Sequence, residues 1–189
     1  CGDDLLPRFV PGHPIAGTER SGVEASVEDL FEHRRVILTP LPETNPDAVK
    51  RVSAMWRSCG AEISVMSVAH HDEVLGATSH LPHMLAFGLV DALARMKEND
   101  EIFRYAAGGF RDFTRIASSN PVMWRDICIA NRHALARMLG HFAEEMADLA
   151  ETIANADGDH LLEIFERAKA ARDRFVDGAS ADSDEANAG

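Results

Sequence analysis

The chain has 189 residues, 46% of them hydrophobic and 26% charged, and a formal net charge of −12. That length suits one or two small domains of ordinary globular composition. An acidic balance of this size repels nucleic acid, whose binding needs clustered Lys and Arg, and no apolar run approaches the length of a membrane span. No secretory signal opens the chain. The three cysteines, Cys1, Cys59 and Cys128, are far apart and form no CxxC pair, so they read as reduced thiols in a cytoplasmic protein.

Residues 1–34 read as irregular, punctuated by Pro7, Pro11, Gly12, Pro14, Gly17 and Gly22. Arg35 to Thr39 is predicted as a short buried strand ended by Pro40 and Pro42. Asn45-Pro46 pairs a capping side chain with a proline whose missing N–H costs nothing at a first helical position, so a helix starts there. It runs to Cys59, and Gly60 stops it. Glu62 to Ser67 is predicted as a second strand, parallel to the first because a crossover helix joins them. Two strands are not a stable sheet, and no further strand is predicted here.

After Ser67 the pattern is helical only. Leu75, Leu85, Leu89 and Leu93 form an apolar stripe over residues 72–97, interrupted by Pro82. Asn120-Pro121 is another cap-plus-proline start. From there Trp124, Cys128, Asn131, Leu135, Met138, Phe142, Met146, Leu149 and Ile153 recur at steps of three and four, which predicts one face of a long helix. Asp157-Gly158-Asp159 ends it, and Leu161 to Phe175 marks a last helix. Residues 177–189 hold four acids, no bases and no large apolar side chain, and read as an acidic disordered tail or linker. The predicted fold is mainly α. Residues 1–67 read as the end of an α/β domain whose other strands are missing, and 68–176 as an all-helical domain. The long stripe exceeds what one chain covers, which predicts a homodimer.

Three clusters carry chemistry. In Pro11-Gly12-His13-Pro14 the histidine sits in a turn, suited to face a cleft and accept a proton near neutral pH. Read alone, it is explained more simply as a surface-loop histidine. The second cluster is His70-His71-Asp72 with Ser79-His80-Leu81-Pro82-His83. Ser79 and His83 lie four apart, so on a helix both face one ligand. His and Asp are also metal ligands, but no H-E-x-x-H and no zinc spacing is present, so no metal site is predicted. His70 and His80 read as residues that cap or cross-link helices. The third is Gly108-Gly109-Phe110-Arg111-Asp112-Phe113-Thr114-Arg115. Its glycines suggest a close backbone approach, and Arg111 and Arg115 lie one helical turn apart, suited to a carboxylate. A solvated face with an internal Arg–Asp pair explains that cluster equally well. Trp124 reads as core or interface.

Taken together, Gly-His-Pro-Ile-Ala-Gly-Thr-Glu (12–19), Ser-His-Leu-Pro-His (79–83), Gly-Gly-Phe-Arg-Asp-Phe-Thr-Arg-Ile-Ala (108–117) and Met-Trp-Arg-Asp (123–126) resemble the signature segments of the prephenate dehydrogenase family, in its order and at about its spacing, over residues 9 to 176. The resemblance implies oxidative decarboxylation of prephenate, or of arogenate, with NAD or NADP. It implies that His13 takes the hydrogen bond, and finally the proton, of the ring hydroxyl. It implies that Arg115 holds a substrate carboxylate with Arg111 beside it, that Ser79 and His83 line the pocket, and that Trp124 reaches it across a dimer. By the same likeness Glu19 and Asp112 control access and Thr18 meets the cofactor. Tyrosine is implied as a feedback inhibitor.

The sequence departs from the family in one respect. The G-x-G-x-x-G turn that opens a dinucleotide-binding domain is absent. The resemblance makes residues 1–67 the end of a Rossmann-type nucleotide-binding domain and 68–176 a substrate-binding and dimerisation domain. With a first residue that is Cys rather than Met, the missing turn predicts an incomplete chain, inactive alone; the acidic tail has the composition of a linker. Two readings of other classes compete: a metal-dependent hydrolase built on His71 and Asp72, and a non-catalytic dimerisation or tyrosine-sensing module.

Overall fold

A computed structural model describes the backbone of residues 3–17 and 22–186. The sheet has three strands in the order β1 (Gly12–Pro14), β2 (Arg35–Leu38), β3 (Glu62–Val65). β2 and β3 are parallel, with Val36 opposite Ile63 and Leu38 opposite Val65. β1 is the element the sequence pattern missed. It pairs antiparallel with β2 and sets His13 opposite Ile37, while bonds from Thr39 N to the Pro11 carbonyl and from Ile15 N to the Arg35 carbonyl close its two ends. Pro14 is tolerated because an edge strand does not need every N–H.

Helix α1 (Pro46–Ser58) crosses between β2 and β3. The Asn45 side chain accepts from Asp47 N at 2.8 Å, as a capping residue should. Gly60 has φ +79°, and a Cβ there would lie 2.9 Å from Glu32 Cγ, so the stop needs glycine. Val36 and Leu38 are fully buried and pack with Ala61 against Val10, Phe31 and Trp56.

Helix α2 (Val68–Leu75) starts at Ser67, whose hydroxyl accepts from His70 N. It passes through a widened π turn (Gly76–His80) into α3 (Leu81–Ala94), with Pro82 in the first turn of α3. Proline there has no N–H to offer the preceding carbonyls, which suits a locally expanded turn. Then follow α4 (Asn99–Arg104), α5 (Gly108–Thr114), a 3-10 turn (Arg115–Ser118) and α6 (Pro121–Ala130). The Asn120 side chain caps α6, accepting from Val122 N and Met123 N.

The long helix expected from residue 120 to 153 is in fact two. Asn131 ends α6 with φ −100° and ψ 27°, and α7 (Arg132–Ala154) starts after it. The buried Asn131 amide is used elsewhere, as described below, and that side-chain bonding competes with a straight helix. Ala156, at φ 52°, makes the turn into α8 (Gly158–Ala186), and Asp157 caps it by accepting from His160 N. The backbone of α8 is helical to Ala186.

Two compact units result, Cys1–Met138 and Leu139–Gly189, with the division inside α7. Among the described residues no helix is long and apolar enough to cross a membrane.

Candidate active site

His13 stands on the short edge strand β1, and its ring faces an open cavity of about 730 Å³. The same cavity is lined by Ser79 from the π turn, His83 from the first turn of α3 and Trp124 from α6. The expectation that Ser79 and His83 share a face is met: His83 Nδ1 donates to the Ser79 carbonyl at 2.8 Å. This leaves His83 Nε2 as the nitrogen available to a ligand. Trp124 is 6% exposed and stacks on His83, ring centroids 3.7 Å apart at 23°. The stack restricts His83 to one plane. Trp124 lines the cavity of its own chain: Asn120 caps α6, and the first turn of that helix brings the indole against His83 of α3.

A chain of polar contacts runs behind His13. Its Nδ1 lies 2.9 Å from His71 Nε2, and His71 Nδ1 lies 2.9 Å from Asp72 Oδ1. Asn131 Nδ2 donates to the Asp72 backbone carbonyl at 2.8 Å and lies 3.2 Å from His80 Nδ1. Both amide hydrogens are therefore engaged. The atoms crowding His13 desolvate its ring and push its pKa below the usual 6.5, helped by the charge that His71 can carry. Burial does the same to His80, with His71 and His13 adding to it. Both rings are held toward their neutral forms, as a proton acceptor at neutral pH requires.

The third cluster is not gathered at this cavity. Arg111, Asp112 and Arg115 are exposed, and none of them is on the cavity wall. The 3-10 turn headed by Arg115 packs against α3, the helix that carries His83, but local spacing could not reveal which way its guanidinium turns. A Cβ at Gly108 or Gly109 would meet nothing within 4 Å, so no backbone approach among the described residues demands those glycines. Thr18 and Glu19 lie outside the described residues.

Four residues in or behind the cavity had no part in the site as read from the sequence. Arg34 lines the cavity wall. It is held there by its backbone, whose N–H donates to the Phe31 carbonyl and whose carbonyl accepts from Glu62 N. The Arg34-Arg35 pair leading into a strand was the available signal. His71 and Asp72 stood out only as metal ligands, yet among the described residues no group of three or more His, Cys, Asp or Glu could hold a metal. Asn131 was hidden in the apolar stripe.

Residues 67–167 match the profile of the prephenate dehydrogenase dimerisation domain, and residues 3–65 that of the prephenate dehydrogenase nucleotide-binding domain. The chain belongs to the prephenate dehydrogenase family. It is 43% identical to the cyclohexadienyl dehydrogenase of Zymomonas mobilis, over 89% of this chain and 59% of that protein. It is 39% identical to the prephenate dehydrogenase of Bacillus subtilis, over 90% of this chain and 47% of that protein. The fold matches the crystal structure of Aquifex aeolicus prephenate dehydrogenase in complex with hydroxyphenyl propionate and NAD+, with a TM-score of 0.82 and 44% identity, over 88% of this chain and 58% of that one. It also matches Synechocystis arogenate dehydrogenase, with a TM-score of 0.80 and 28% identity, over 91% and 63%. The chain thus spans about half the length of its curated relatives.

Proposed function

We propose that this chain supplies the substrate side of an enzyme that oxidises and decarboxylates prephenate, or its amino counterpart arogenate, with a nicotinamide cofactor. The observation that carries this reading is one cavity walled by His13, Ser79, His83, Arg34 and Trp124. Such a substrate is a ring bearing a hydroxyl and carboxylates. It asks for an acceptor at the hydroxyl, donors and cations at the carboxylates, and a flat apolar wall.

Neutral His13 accepts the hydroxyl hydrogen bond through Nε2 and takes the proton as hydride leaves the carbon that bears the oxygen. The ring carboxylate departs as carbon dioxide, its electron pair makes the ring aromatic, and the former hydroxyl oxygen regains a proton as a phenol. The cofactor, NAD or NADP, supplies the hydride acceptor when bound. The residues present fit only part of it. The carboxyl ends of parallel β2 and β3 are the edge where a dinucleotide lies in such sheets, but the sequence has no G-x-G-x-x-G turn for the pyrophosphate. Thr18 is proposed as a contact to the cofactor, and Glu19 and Asp112 as residues that control entry.

Ser79, through its hydroxyl, and His83, through Nε2, orient the side-chain end of the substrate, and Trp124 backs it. Arg115, with Arg111 nearby, is proposed to hold a carboxylate; the packing of its turn on α3 supports this. A homodimer is proposed too. It is supported by the family description of residues 67–167 and by the exposed apolar side chains of Leu162, Phe165 and Phe175 on α8. Tyrosine, which shares the product's ring, would compete for the same cavity. The free thiols of Cys59 and Cys128 support a reducing, cytoplasmic setting.

The test is His13→Asn in the turnover-competent enzyme. The expected result is a fall in kcat of about 100-fold or more with KM changed by no more than a few fold, because a positioned base contributes about 10²–10⁴ to the rate. Turnover within a few fold of the wild type would refute the role of His13.

A further inference from the structure

We infer that Asp72 and His71 are positioning residues that fix the tautomer of His13, so that its Nε2 carries a lone pair toward the cavity. The inference rests on the proposed role of His13 and adds two residues to it.

The hydrogen-bond roles follow from Asp72 outward. A carboxylate only accepts, so His71 Nδ1, 2.9 Å from Asp72 Oδ1, must carry hydrogen. A neutral imidazole has one N–H, so His71 Nε2 is then a bare acceptor. His13 Nδ1 lies 2.9 Å from it and must donate. His13 Nε2 is left without hydrogen, as a base requires. If the Asp72 end were reversed, His71 would present N–H to His13 Nδ1 and His13 would carry its hydrogen on Nε2. A ring in that state donates to a hydroxyl oxygen and cannot take its proton.

Local structure holds the chain in register. His71 N donates to the Ser67 carbonyl in the first turn of α2. The Asp72 carbonyl is tied to Asn131, at the break between α6 and α7. The His13 and His71 rings lie 5.2 Å apart at 58°, too tilted to stack and well placed for an in-plane nitrogen contact. The other groups facing the relay are His80 across the Asn131 amide, His83 and Arg34 on the cavity wall, and the Glu73–Arg137 ion pair one residue along α2. Glu73 is already paired and His80 already receives the Asn131 amide, so the charge that His71 meets directly is Asp72. The side chain of His71 is 18% exposed and that of Asp72 is 44% exposed. Changes at Asp72 therefore disturb little packing.

The first measurement needs no variant. Imidazole ¹⁵N spectra of the wild-type chain at pH 8 should show His13 protonated on Nδ1 and bare on Nε2, and His71 likewise. The opposite tautomer at His13 would overturn the inference. The second measurement uses the turnover-competent enzyme and reads kcat, KM and the acid limb of the kcat profile. Asp72→Asn, which can present either N–H or C=O to His71, should lower kcat about ten-fold or more with KM within about two-fold. It should also move the acid limb to lower pH, because a negative charge that favours protonated histidine is gone. His71→Gln keeps a carbonyl that can accept from His13 Nδ1 and should recover part of the kcat that His71→Leu loses; a purely structural role would treat the two alike. Unchanged kcat and acid limb in Asp72→Asn, or equal loss in both His71 variants, would refute the relay. If His13→Asn alone abolishes turnover while the relay variants keep it, only the relay fails. If His13→Asn keeps turnover, the proposed function itself fails.

Discussion

Asn131 offers a direct measure of how the helical segment holds the site together. The residue is 9% exposed, and its amide nitrogen serves the Asp72 carbonyl at 2.8 Å and His80 Nδ1 at 3.2 Å. Asn131→Ala removes both donors. The Asp72 carbonyl keeps its helical bond from Gly76 N, so its loss is that of one net hydrogen bond, about 0.5–1.5 kcal/mol. His80 Nδ1 is left part-buried without a donor, which costs about 1–2 kcal/mol more. The sum is about 1.5–3.5 kcal/mol. At about 2–4 °C per kcal/mol for a chain of this size, Tm should fall by roughly 3–14 °C. Calorimetry and urea titration of the purified chain measure this. Asn155→Ala, at an exposed turn, is the control and should stay within about 0.5 kcal/mol of the wild type. A loss below about 0.5 kcal/mol for Asn131→Ala would show that the break between α6 and α7 does not depend on this amide.

Two further expectations concern charge. His13 and His80 have pKa values lowered from 6.5 in the fold, so the unfolded chain binds more protons below about pH 6.5. By linkage the stability they contribute is complete above that pH and is lost as pH falls toward their folded values. At the alkaline end, partial burial pushes the Cys128 thiol above its usual 9.0, so ionisation favours the unfolded chain there. The urea midpoint should therefore be higher at pH 8 than at pH 5.5, with a smaller difference in His13→Gln; a midpoint at pH 5.5 equal to or above that at pH 8 would contradict the lowered pKa values of the two histidines. Arg34→Gln should raise KM for the anionic substrate about ten-fold with little change in kcat, since a charged hydrogen bond is worth about 1.5–3 kcal/mol. An unchanged KM would remove Arg34 from the binding wall.

Elements signalled by local chemistry were legible in the sequence. Asn45-Pro46 and Gly60 bracket α1 because a cap, a proline and a positive φ act over a few residues. The Ser79–His83 pair was legible for the same reason, four residues being about one helical turn. β1 was not, because three residues ending in proline carry no alternation. The break at Asn131 was masked by an apolar stripe that continues in step on both sides of it, and only its partners Asp72 and His80, more than fifty residues away, explain it. The link from His13 to His71 likewise spans 58 positions. The position of Arg115 relative to the cavity depends on how its turn packs on α3, which spacing within one turn does not encode.

The charge distribution reconciles an acidic chain with an anionic substrate. The net charge of −12 acts over a distance, and salt screens exposed charges beyond about 8–10 Å at physiological ionic strength. What a ligand meets at close range is the wall, and there the described residues offer one guanidinium and two imidazoles. The nearest carboxylate in the chain of contacts, Asp72, reaches His13 only through His71. Its charge is therefore spent on orienting a ring instead of repelling a substrate carboxylate. If Asp72 lined the cavity directly, the dianion would be disfavoured and His13 would hold its own proton more tightly, both against the proposed chemistry. Interposing His71 keeps the orienting effect of the carboxylate and moves its field one imidazole further from the substrate.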